Sequence, residues 1–128
     1  MDTPLREPTF LILTALAAAP LHGYGLIREV AALSDGRVTL RPGTLYGALD
    51  RLVDAGLVDV DGEEVVDGRL RRYYRLSPAG EATLSAETER LRRNVAAATE
   101  RLRNRATDPG TPRRAAGTGT PRLAGGAA

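Results

Sequence analysis

The sequence predicts a mainly α protein with one small β-hairpin and a long C-terminal helix. Three observations predict it. Apolar residues recur at helical spacing in three successive segments up to residue 54. The period then changes to that of strands around an Asp-Gly pair. From Pro78 a helical pattern runs on to about Arg105.

The first helix is expected from Thr9 to Ala19, with Pro8 in its first turn and Pro20 beyond its end. It is apolar almost all round and so must be covered on most faces, which in a small domain calls for a partner subunit as well as a core. The run FLILTALAAAP also resembles a signal-peptide core with an A-x-A cleavage site. Asp2 and Glu7 offset Arg6, however, so the positive leader is missing, and about ten apolar residues are far too few to span a bilayer. A cytoplasmic location without membrane contact is expected.

In LHGYGLIREVAALSDG, Leu26, Ile27, Val30 and Leu33 keep helical spacing, and Gly36 is placed to end the helix in a left-handed conformation. RVTL, residues 37–40, reads as a short strand. RPGTLYGALDRLVDAGLV then opens a third helix with a leucine stripe at Leu45, Leu49 and Leu52. Its other side carries Thr44, Gly47, Asp50, Arg51 and Asp54.

Leu57, Val58, Val60, Val65 and Val66 read as one strand and LRRYYRLS, residues 70–77, as the next. Asp67-Gly68 is a strong two-residue hairpin signal between them, with Asp61-Gly62 as a rival. On the second strand Arg72, Tyr74 and Leu76 share one face, and Arg71, Tyr73 and Arg75 the other. Ser77 is placed to cap the last helix and Pro78 to begin it. That helix carries a weak heptad seam, with Leu84, Leu91 and Ala98 at d and Thr88, Val95 and Leu102 at a. From Thr107, Gly, Pro, Thr, Ala and Arg dominate without period, the composition of a disordered tail.

Three helices followed by a β-ribbon describe a winged helix-turn-helix domain, expected over residues 1–78. A C-terminal dimerisation helix over 79–106 and a tail over 107–128 complete the chain. A folding part of roughly 70–100 residues has a marginal core, which favours a homodimer.

Composition removes most other functions. The chain has no cysteine and one histidine, His22, so disulfide frameworks, thiolate metal sites and histidine clusters are out, and no cofactor or metal is expected. No catalytic pair is visible, and neither HGYG nor GTGTP stands in the strand–loop–helix setting of a phosphate loop, so no enzyme is expected. The net charge of +2 is not a nucleic-acid signal. Asp108 against Arg113, Arg114 and Arg122 in the tail accounts for all of it. Any argument for nucleic acid rests on where the charges sit.

A winged helix presents its third helix to the major groove of double-stranded DNA and its hairpin to the adjacent backbone or minor groove. The candidate DNA-binding residues are therefore Arg41, Thr44, Tyr46, Gly47 and Arg51 on the third helix, with Arg69, Arg71 and Arg72 on the wing. Arg51 is the leading candidate for a guanine or phosphate contact, and Gly43 and Gly47 let the backbone approach closely. The alternative is a winged-helix module that binds another protein and never touches DNA. Residues 36–76 hold seven arginines against seven acids, which supports it.

HGYGLI, GTLYGALDRLVDAGLV and RRYYRLSPAG, in this order and spacing, resemble the PadR family of bacterial transcriptional regulators over residues about 10 to 105. The resemblance implies a homodimeric winged-helix protein, usually a repressor that binds an inverted-repeat operator, and the short single C-terminal helix looks like the family's smaller branch. Asp50, where the family is often basic, and Gly47, where it often has proline, depart from the pattern. His22 and Tyr24 lie in the family's HGY signature and are expected to shape the second helix's entry and to pack, respectively. The dimer interface is expected at Phe10, Leu13, Leu84, Leu91, Val95 and Leu102. Family members often release DNA when a small aromatic or lipophilic effector enters that interface. Here that implies a place near Phe10, Leu13, Leu91 and Val95. With no Trp and a single Phe, an indole-stacking pocket is excluded.

Overall fold

The computed structural model describes residues 4–107. Seven elements follow in order: α1 (Glu7–Ala18), β1 (Leu21–His22), α2 (Gly23–Leu33), α3 (Pro42–Asp54), β2 (Val58–Val66), β3 (Arg69–Leu76) and α4 (Pro78–Thr107). The tail expected to be disordered lies outside the described residues from position 108 on, and Thr107 closes α4. Two compact units divide at Glu89 and Arg90, within α4.

The first unit holds the core. Ile12 and Leu13 of α1, Leu26 and Val30 of α2, Leu45 and Leu49 of α3 and Val58 of β2 have no solvent exposure. The helical stripes read in the sequence are the faces that meet there. Removing one such leucine, as in Leu49→Ala, costs about 2–5 kcal/mol. α2 stops as the sequence predicts: Asp35 and Gly36 both take positive φ, and the Gly36 N–H reaches the Ala31 carbonyl at 2.7 Å.

The three-stranded antiparallel sheet has the order β1-β3-β2. Its third strand is not the one the sequence suggests. Residues 37–40 form no strand, whereas Leu21 and His22 pair with Tyr74 and Tyr73. The edge of β3 is thereby taken. Residues 37–40 instead run as a loop held by the Val38 N–H donating to Ser34 Oγ at 2.9 Å, with Leu40 buried beneath it.

The hairpin turns at Asp67-Gly68, whose φ values of 52° and 76° suit a tight two-residue turn. The rival pair Asp61-Gly62 is a bulge, where the β2–β3 register shifts between Val60 and Gly62. At the other end of β3, Ser77 Oγ accepts from the Gly80 N–H at 3.0 Å and donates to the Gly56 carbonyl at 2.6 Å. It caps α4 and pins it to the end of α3 in one residue. Gly80 is required there because a Cβ would lie 2.0 Å from the Leu57 carbonyl oxygen.

Candidate nucleic-acid interface

α3 buries Leu45, Ala48, Leu49 and Leu52 and turns its remaining positions outward. Arg41, Thr44, Tyr46, Asp50 and Arg51 are exposed and Gly47 is half-buried. A Cβ at Gly43 would meet nothing within 4 Å, and one at Gly47 only the Arg51 guanidinium at 3.7 Å. Space inside the protein therefore does not demand either glycine. Both leave the outer face of α3 low, with Arg51 folded back across Gly47.

Tyr46 leans from α3 onto the start of α2. A Cβ at Gly23 would sit 2.1 Å from its hydroxyl oxygen, so the glycine of HGY makes room for the tyrosine of GTLY. His22 caps α2, its Nδ1 accepting from the Gly25 N–H at 3.2 Å, and its ring meets Tyr73 edge-on at 5.3 Å. Burial pushes its pKa below the ordinary 6.5, and the Arg71 and Arg28 charges push the same way. The neutral ring is the form that can accept at Nδ1. A capping role for His22 is what the structure shows.

Tyr24 does not pack as expected: it is 64% exposed. Leu26 and Val30 face the core, which turns Tyr24 and Arg28 to the opposite side of α2. The sequence reading missed Tyr24 as a candidate contact, although its position two residues before Leu26 carried the signal. Tyr24 and Tyr46 line one cleft of about 390 Å³ with Val66, Asp67, Arg69, Leu70, Arg71 and Arg72. The cleft joins the starts of α2 and α3 to the outer half of the wing.

Cross-strand pairing sorts the wing's charges. Arg72 donates to Glu63 at 2.9 Å, and Arg75 meets Asp61 at 2.9 Å and Asp59 at 3.6 Å. All these groups are substantially exposed, so each pair is worth about 0–1 kcal/mol and yields readily to a competing anion. Among the described residues Arg28, Arg41, Arg51, Arg69 and Arg71 have no ion pair. Of the eight candidate DNA-binding residues, Tyr46, Arg69, Arg71 and Arg72 share the cleft, while Arg41 at the N-cap of α3 and Thr44, Gly47 and Arg51 within it lie outside that lining.

The residues expected at a dimer interface divide differently. Leu13 has no exposed surface and is core, so it offers no surface to a partner. Phe10 and Leu84 are half-buried against the same core. Leu91 is half-buried, and Val95 and Leu102 are 64% and 66% exposed. Among the described residues no three His, Cys, Asp or Glu side chains converge to hold a metal, and no helix is long and apolar enough to cross a membrane.

Comparison with known proteins bears on this surface. The family model described as the transcriptional regulator PadR-like family matches residues 12–86. The transcriptional regulator Rv3488 of Mycobacterium tuberculosis is 44% identical over 80 residues, which span 62% of this chain and 71% of the relative. A PadR family transcription regulator from Clostridium difficile superposes with a TM-score of 0.60 at 25% identity, over 76% of this chain and 99% of that one. Bacillus subtilis PadR in complex with operator DNA superposes with a TM-score of 0.57 at 20% identity, over 63% of this chain and 47% of that one.

Proposed function

The chain belongs to the PadR-like family of transcriptional regulators, and from that premise we propose that it is a dimeric, sequence-specific DNA-binding repressor acting in the cytoplasm. α3 enters the major groove of an inverted-repeat operator with Arg41, Thr44 and Arg51 toward the bases and phosphates. The wing follows the neighbouring backbone with Arg69, Arg71 and Arg72. The observation that carries this reading is the cleft lined by Tyr46 of α3 together with Arg69 and Arg71 of the wing, two arginines without an ion pair.

Dimerisation runs through the C-terminal helix, with Leu91, Val95 and Leu102 as its apolar contacts. Two α3 helices then reach half-sites about one helical turn apart. A small lipophilic effector seated at that interface is the expected release signal, and a tenfold change in DNA affinity needs only about 1.4 kcal/mol of preference for one state.

The test is fluorescence anisotropy with the DNA upstream of the chain's own gene, over a salt series. Saturable, sequence-preferring binding that weakens steeply with salt is expected, and its salt slope should fall by about 4 in an Arg69→Ala, Arg71→Ala variant, two arginines being lost from each subunit. Flat or sequence-blind binding would overturn the proposal. The Glu63–Arg72 and Asp61–Arg75 pairs favour one second reading, a protein-binding module, because they spend two of the wing's arginines internally.

A further inference from the structure

Gly43, Gly47, Asp50 and Asp54 follow one another down the side of α3 farthest from its leucine stripe. Thr44 and Arg51 border this line on one side, Tyr46 and Val53 on the other. The two glycines put only backbone there, so Asp50 is the first side chain that the line presents. Neither glycine answers to a neighbour: a Cβ at Gly43 meets nothing within 4 Å, and one at Gly47 meets only Arg51 at 3.7 Å. Gly47 weakens the helix it stands in and nothing packed against it requires it, which points to a surface that comes close from outside.

Asp50 is equally unclaimed within the subunit. It lines a hollow of about 270 Å³ with Val53, Asp54, Val60, Arg72 and Tyr74. The cation of that hollow, Arg72, is held by Glu63 at 2.9 Å. Among the described residues Asp50 has no ion pair.

An exposed carboxylate in the middle of a DNA-facing surface repels phosphates, and it lowers affinity except where a hydrogen-bond donor meets it. The major groove offers two such donors, the amino groups of cytosine and adenine. On adenine the amino group stands beside N7, an acceptor whose lone pair repels the second carboxylate oxygen. On cytosine it stands beside a C–H, so a carboxylate takes cytosine. The aspartate side chain is short, and Gly47 one turn earlier lets the helix sit deep enough for it to reach a base edge. Asp54 lies at the far end of α3, whereas a recognition helix reads with its N-terminal part.

We propose that Asp50 determines specificity: its carboxylate accepts from the 4-amino group of one cytosine in each half-site, and Gly47 provides the approach. Asp50 thus lowers affinity for DNA in general and restores it at one sequence. This inference rests on the DNA-binding reading above, and its test separates the two.

Duplexes are selected from a random-sequence library by the full chain, by its Asp50→Asn variant and by its Asp50→Ala variant. The wild-type half-site should hold one cytosine at a position where Asp50→Ala accepts any base. Asp50→Asn should turn that position to adenine, because an amide pairs with the N6 and N7 of adenine. In anisotropy, exchanging that cytosine for its analogue without the 4-amino group should weaken the wild type about tenfold and leave Asp50→Ala unchanged. On duplexes without a half-site, Asp50→Ala should bind severalfold tighter than the wild type, since it no longer repels phosphates. Both variants should stay folded in thermal melts, because the side chain is exposed. An identical half-site for all three proteins overturns the inference and leaves the DNA-binding reading standing. So does an Asp50→Ala variant that binds every duplex more weakly by the same factor, which would give Asp50 a role inside the protein. Selection in which the wild type enriches no sequence overturns both.

Discussion

At the scale of single residues, His22 ties the start of α2 to pH. Its folded pKa lies below the ordinary 6.5, so the folded state binds a proton less readily than the unfolded chain does. Its contribution to stability is therefore complete above pH 6.5 and is lost as the pH falls toward the lowered value. Thermal unfolding between pH 7.5 and 5 should show a falling melting temperature. His22→Asn, which keeps a capping acceptor without a titrating ring, should flatten that fall; an unchanged slope would remove His22 as its source. Gly80 has a different constraint, since a Cβ there strikes the Leu57 backbone. Gly80→Ala should cost about 1–3 kcal/mol by urea unfolding. Asp67 sits at the wing tip with φ 52°, a conformation that Asn also tolerates. Asp67→Asn should keep the hairpin, remove one charge that repels phosphate, and tighten DNA binding severalfold in the anisotropy assay.

At the scale of elements, α3 sets stability against access. Gly47 lies inside the helix, where a Cβ meets only ordinary van der Waals contact, so Gly47→Ala should raise stability by about 1 kcal/mol. The same methyl stands on the face proposed to approach DNA, and affinity should fall. A variant that gains in both measurements would show that this face stays away from DNA. The wing divides its arginines into two that are engaged and two that are not. Arg72 and Arg75 are engaged with Glu63, Asp61 and Asp59, whereas Arg69 and Arg71 are not.

At the scale of the whole molecule, α1 answers the question its uniform apolarity raises. Leu11, Ile12, Leu13, Ala15 and Leu16 are buried within the subunit, so the core alone accounts for most of the helix. The exposed residues of the proposed interface lie further along the chain, at Val95 and Leu102. Val95→Glu with Leu102→Glu should convert a dimer to a monomer in sedimentation at micromolar concentration. Operator affinity should then drop by about a hundredfold, since the second half-site no longer binds intramolecularly. A variant that remains dimeric would place the interface elsewhere.

Much of this was legible in residue order. The leucine stripe at 45, 49 and 52 determined which side of α3 faces inward, because helical period and burial are a local matter. Asp67-Gly68 determined the hairpin tip, Ser77-Pro78 the start of α4, and Gly36 the end of α2, because caps and turns involve neighbours in sequence. What only the tertiary structure decided were relations between distant segments. Val38 and Leu40 have the composition of a strand, yet Leu21 and His22 occupy the sheet edge, and two segments cannot share one row of hydrogen-bond partners. Leu13 and Leu102 look alike as apolar helical residues, yet one has no exposure and the other 66%. Tyr24, Tyr46 and Arg71 form one cleft only because α2, α3 and the wing are brought together. A sequence carries local preference directly, but which surface is left over after packing depends on every contact at once.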